Sequence, residues 1–159
     1  MKLTIVIKLI VCLAVTFSAA FIGSLFTREA VPDWYANLNK PSFTPPNWLF
    51  GPVWTILYLL MAISAVIVWQ KGLANPAVRI ALTIYLIQLI LNAVWSVIFF
   101  GLKMPWLSFI EIILLWSAIG LTIFAFARVS ITAAVLLVPY ILWVSFAAVL
   151  NFFIWLLNR

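Results

Sequence analysis

The chemistry this chain can carry is bounded first by what it lacks. Its 159 residues contain no histidine, one cysteine (Cys12) and three acids, Glu29, Asp33 and Glu111. Without histidine there is no Ser-His nucleophile and no histidine metal site, and a haem iron would lack its usual His or Cys ligands. The three acids are too few and too scattered for a carboxylate pair, and no relay of ionisable groups exists for a proton-coupled pump. What remains is a set of neutral polar and aromatic side chains inside otherwise apolar runs: Gln88, Asn92, Ser96 and Asn151, with Trp54, Trp95, Trp116 and Trp143. Such residues hydrogen-bond, stack on flat ligands and, in the case of indoles, give up electrons. No resident cofactor or metal is expected.

The elements that must position these residues are membrane helices. The chain is 68% hydrophobic and 8% charged, with a mean hydropathy of +1.29, against about 25% charged residues in an ordinary soluble domain. Five apolar segments, at about 3–26, 48–70, 77–100, 105–127 and 131–157, each approach or exceed the roughly 20 residues needed to cross the hydrocarbon core. In lipid each must satisfy its own backbone, so each is expected to be a helix. The fold class is therefore an all-α, five-helix transmembrane bundle forming one domain over 1–159. The first segment has features of a cleaved signal, but Lys8 interrupts it and it is long for one, so a membrane anchor is expected. Short links after the second, third and fourth spans force antiparallel neighbours. The only long connection is 27–47.

The nine Lys and Arg give a net charge of +6. They lie between or at the ends of the spans and form no patch, which speaks against nucleic-acid binding. Lys2, Lys8, Lys71, Arg79 and Arg128 fall on one side of the membrane, and Arg28, Lys40, Lys103 and Arg159 on the other. The asymmetry is slight and leans towards a cytoplasmic N-terminus.

Residues four apart share a helix face. Phe50, Trp54, Tyr58 and Ala62 form one line. Gln88, Asn92, Ser96 and Phe100 form another, with Trp95 and Phe99 beside it. Pro139, Trp143, Ala147 and Asn151 form a third. Asn and Gln are costly against lipid, so these stripes are expected to face into the bundle. Trp34, Trp48, Trp69, Trp106 and Trp155 lie near span ends, where indoles anchor at the interface. The four deeper tryptophans read equally well as bulky core filler or as the lining of a cavity. Glu111 is expected to snorkel to the nearby interface, ~9 Å away along the helix, beside Lys103.

The stretch "WYANLNKPSFTPPNWLFGPVWTILY" resembles the first loop and second helix of the tryptophan-rich sensory protein family, also called the translocator protein or peripheral benzodiazepine receptor family. "LNAVWSVIFFG" is similar to its third helix and "VPYILWVSFAAVLNFFIWLLN" to its fifth. The resemblance covers nearly the whole chain. It implies a five-helix bundle, commonly a homodimer in a bacterial cell membrane, with the first loop as a lid stiffened by Pro41, Pro45, Pro46 and Pro52 over a pocket. It implies binding of porphyrins such as protoporphyrin IX and of benzodiazepine-site drugs, in tetrapyrrole transport, sensing or regulation, or else catalysis of light- and oxygen-dependent porphyrin breakdown. The implied ligand-binding residues are Tyr35, Trp54, Tyr58, Asn92, Trp95, Trp143 and Ala147, with Trp54 and Trp143 as the photochemical pair. Some relatives have phenylalanine where Tyr58 stands, so its hydroxyl is not expected to be essential. The proposed sterol motif at the end of the fifth helix needs a tyrosine where this chain has Phe152, which argues against cholesterol.

Overall fold

In the computed structural model of the protein, residues 2–159 are described, with side chains from Thr4 onward. Six helical segments follow one another: α1 (Lys2–Ala30), α2 (Asn47–Gln70), α3 (Pro76–Ser96), α4 (Pro105–Ala127), α5 (Ile131–Leu136) and α6 (Val138–Leu157). Widened π-helical turns extend α1 over Val31–Tyr35 and α3 over Val97–Gly101. With these extensions, and with α5 and α6 taken together, five helices are long and apolar enough to cross a membrane. The protein is an integral, multi-pass membrane protein.

Local chemistry explains most boundaries. Asn75 caps α3, accepting from the Ala77 amide at 3.0 Å, and Pro76 opens the helix where its missing N–H is harmless. Ser130 caps α5 in the same way. Gly72, at φ 93°, turns the chain between α2 and α3, a conformation glycine adopts without strain. The fifth span, expected as one helix over 131–157, is broken at Leu137. Pro139 has no N–H to give the Val135 carbonyl and its ring crowds that oxygen, so the helix restarts.

The long connection is shorter than expected. Helix runs past residue 26 to Ala30 and on through the π turn to Tyr35, leaving 36–46 as the non-helical stretch. Thr27, Arg28, Glu29 and Ala30 have no reason to stop a helix, and the Thr27 hydroxyl donates back to the Gly23 carbonyl at 2.9 Å. Pro32 falls where the widened turn accommodates its missing donor.

The helices pack with α3 against α4 and α1, α1 against α2, and α4 against α6. Gly23 and Gly101 set the approach of α1 to α3. A Cβ on Gly23 would stand 2.9 Å from Ser96 Oγ, and one on Gly101 2.7 Å from the Phe26 ring.

Candidate functional site

The polar stripes do face inward. Gln88, Asn92 and Asn151 are all buried. Tyr58 Oη donates to Asn92 Oδ1 at 2.5 Å, Asn92 Nδ2 donates to Tyr140 Oη at 3.0 Å, and Tyr140 Oη donates to Gln88 Oε1 at 3.0 Å. These bonds cross α2, α3 and α6 and satisfy both tyrosine hydroxyls and the Asn92 amide, while the buried Gln88 Nε2 has no acceptor among the described residues. One turn nearer the loop, the Trp95 indole donates to Asn151 Oδ1 at 3.1 Å, and Asn151 Nδ2 donates to the Pro105 carbonyl at 2.8 Å, tying α3, α6 and the start of α4.

Above this network, on the loop side, lies a cavity of about 830 Å³ among α1, α2, α3 and α6. That is within the range of drug- and cofactor-sized sites. Its wall is rich in aromatic rings, among them Phe50, Trp54 and Tyr58 from α2, Trp95 and Phe99 from the α3 end, and Trp143 from α6. The rings brace one another. Trp54 stacks on Tyr58 with centroids 5.4 Å apart, Trp95 on Phe99 at 5.1 Å, and Phe50 meets Trp143 edge-on at 5.9 Å. Such contacts hold planar groups in place without filling the space between the helices. The Trp143 Nε1 is buried and has no acceptor among the described residues.

Of the residues singled out from the sequence, Tyr35, Trp54, Tyr58, Trp95, Trp143 and Ala147 all line this one cavity. Asn92 does not. It stands one layer behind, holding the Tyr58 hydroxyl, because the tyrosine ring occupies the wall in front of it. Tyr35 belongs to the helical extension of α1 rather than to a loop. Trp116 is at the expected depth but on the opposite face: it is exposed, and its indole donates to Ser145 Oγ at 2.8 Å along the outer surface. Glu111 does not snorkel. It is 6% exposed, with neither carboxyl oxygen partnered among the described residues, because it shares the inner face of α4 with Ser108, Ile112 and Leu115.

The first helix supplies a wall that the sequence reading missed. Phe17, Phe21, Ser24 and Arg28 line the cavity at three- and four-residue spacing, and that periodicity was available in the sequence. The connection also covers the cavity differently from the expected lid. Val31, Pro32, Tyr35 and Asn47 line it, whereas 36–46 do not. That stretch is strapped to the end of α6 instead. The Asn39 amide donates to Asn158 Oδ1 at 2.9 Å, Asn158 Nδ2 donates to the Asn39 carbonyl at 2.8 Å, and Phe43 packs on Phe146 and Phe153. Lys40 sits 4.8 Å over the Tyr35 ring and donates to the Ala36 and Leu38 carbonyls, closing the turn on itself.

Comparison with known proteins gives one consistent result. The sequence model of the TspO/MBR family matches residues 10–156. The chain is 44% identical to the "Tryptophan-rich protein TspO" of Chlorobaculum tepidum over 153 residues, 96% of this chain and 97% of that protein. It is 45% identical to the protein of the same name from Archaeoglobus fulgidus, covering 96% of this chain and 98% of that one. It is 39% identical to the human "Translocator protein" over 137 residues, 85% of this chain and 80% of the relative.

Proposed function

The chain belongs to the TspO/MBR family, and from that premise we propose that it binds porphyrins, protoporphyrin IX-like tetrapyrroles, in the aromatic cavity, and acts in their transport, sensing or regulation. The observation that carries this reading is the cavity wall. Trp54, Tyr58, Trp95, Phe99 and Trp143 present broad ring faces around about 830 Å³, which suits a flat, rigid, largely apolar ligand held by stacking and burial. Metal-free porphyrin suits it better than haem, because the lining contains, among the described residues, no histidine, cysteine or methionine, the commoner iron ligands, and the Tyr58 hydroxyl is already committed to Asn92. The unpartnered Trp143 N–H supports a site completed from outside the chain, since a buried donor without an acceptor is destabilising by about 1–3 kcal/mol.

A second reading has its own support. The same wall places oxidisable indoles where a bound photosensitiser would lie, so light- and oxygen-dependent breakdown of the porphyrin needs no acid or base. One experiment tests both. Purified protein is titrated with protoporphyrin IX by tryptophan quenching, then illuminated in air. Saturable quenching is expected. Its absence removes the binding reading, and loss of the porphyrin bands only in light and air adds the photochemical one.

A further inference from the structure

The cavity is not closed on all sides. Phe21 and Arg28 of α1 and Gly51 and Thr55 of α2 line it and are at the same time exposed on the outside of the bundle. Phe21 is 65% exposed, and nothing lies within 4 Å of where a Gly51 Cβ would stand. The two helices therefore part in the loop-side half and leave a mouth that faces the bilayer sideways. In the other half they close again. There Lys8 Nζ donates to the Trp69 carbonyl at 3.2 Å and lies over the Trp69 ring.

Among the described residues, Arg28 is the only charged one in the lining. It stands about two turns before the end of the helical run at Tyr35, on the order of 10 Å along the axis, so its long stem reaches the headgroup level. The neighbouring acids Glu29 and Asp33 are not part of the lining. The cavity thus has a polarity gradient: a single fixed cation at the rim, with serine, threonine and asparagine around it, and aromatic rings at depth. A guanidinium presents paired N–H donors that match a carboxylate, and such a pair gains strength at a membrane interface, where the dielectric is below that of water.

We propose that Arg28 makes this site selective for acidic amphiphiles: molecules with a broad apolar body that enter sideways from the bilayer and leave a carboxylate against the guanidinium at the rim. This deepens the tetrapyrrole reading, on whose site it rests, by assigning the recognition of the ligand's acid groups to a named residue. It also predicts that esterified or cationic analogues of the same shape are poorer ligands.

The test uses the full chain in nanodiscs of zwitterionic lipid, so that no anionic headgroup competes. Two probe pairs are titrated by tryptophan quenching: protoporphyrin IX against its dimethyl ester, and pyrene-dodecanoic acid against its methyl ester. In the unaltered protein each acid is expected to bind about tenfold more tightly than its ester. Arg28→Gln is expected to remove that preference by weakening the acid alone, and Arg28→Lys to keep part of it. Because Arg28 is exposed, the variants are expected to unfold at the same temperature as the parent. Equal affinity for acid and ester in the unaltered protein overturns the proposal, as does a preference that survives Arg28→Gln. If both porphyrins bind equally, charge selection is wrong while porphyrin binding stands. If neither porphyrin binds but the pyrene acid shows an Arg28-dependent preference, charge selection stands and the porphyrin reading falls. If nothing binds, both fall.

Discussion

The two halves of the bundle are built from similar apolar helices yet pack in opposite ways. In the half beside the α2–α3 and α4–α5 turns, Met61, Ala62, Val68, Val78 and Ala81 are fully buried, and the polar contacts are short and local. Thr16 Oγ1 meets Tyr85 Oη at 2.6 Å, and Ser64 donates to the Ala133 carbonyl at 2.6 Å. Lipid tails give helices no hydrophobic reason to associate, so close contact through small residues must supply the attraction. In the loop-side half the facing positions carry Phe50, Trp54, Trp95, Phe99 and Trp143. Phe50 of α2 and Trp143 of α6 meet edge-on across the gap and prop these helices apart, leaving a cavity. The difference teaches that one bundle can devote one end to cohesion and the other to a ligand, and that side-chain size at a few inward positions decides which is which.

The sharpest way to break this comparison is to make the same substitution in both halves. Ala65→Leu, at a buried position between α2 and its neighbours, is expected to lower stability by ~1–3 kcal/mol through overpacking. Ala147→Leu lies on the cavity wall, where there is room. It is expected to leave thermal unfolding nearly unchanged and to weaken porphyrin binding by a similar ~1–3 kcal/mol. Equal losses of stability in the two variants would show that the halves do not differ in kind.

Trp143→Phe sharpens the ligand side. It keeps an aromatic face but removes the unpartnered N–H and the most oxidisable ring. Under the binding reading alone, affinity falls modestly and nothing else changes. Under the photochemical reading, affinity survives while light-driven porphyrin loss slows sharply. Both quantities are measured on one preparation, with the unfolding temperature as the control. If neither moves, the ring is ordinary packing.

The boundary between the halves is the hydrogen-bonded chain from Tyr58 to Gln88. Tyr58→Phe retains the ring on the wall but leaves Asn92 Oδ1 without its donor. The expected result is a loss of about 1–2 kcal/mol in stability with porphyrin affinity unchanged. A loss of affinity at constant stability would instead place the hydroxyl in ligand binding.

The smallest effect is expected at the strap. Asn158→Ala removes two exposed hydrogen bonds to Asn39. It is expected to change global stability by less than about 1 kcal/mol while raising amide exchange across 36–46. Unaltered exchange there would show that Phe43 and the Asn39 bond to the Leu157 carbonyl suffice to hold the stretch against α6.

Several features were legible from residue order because they are local. Span number follows from apolar length, since a helix must cover the hydrocarbon core with its own backbone bonds. The inward stripes follow from helical period and the cost of placing an amide in lipid, which is why Gln88, Asn92 and Asn151 were correctly assigned to the inner face. The family resemblance brought Tyr35, Trp54, Tyr58, Trp95, Trp143 and Ala147 together, and all six line one cavity.

Tertiary packing decided the rest. Depth along a helix can be counted from its end, but the rotation that turns a residue in or out depends on which neighbours the helix meets. Trp116 and Glu111 lie on the same helix, yet the indole faces out and the carboxyl in. Asn92 was placed on the right face, but only the length of the Tyr58 ring in front of it put it a layer behind the wall. Whether a run of inward aromatics fills a space or encloses one is likewise a property of the gap between helices. Here that gap is set by close contacts at Gly23 and Gly101 on one side and by the Phe50–Trp143 pair between α2 and α6 on the other, and no single segment of the sequence contains both.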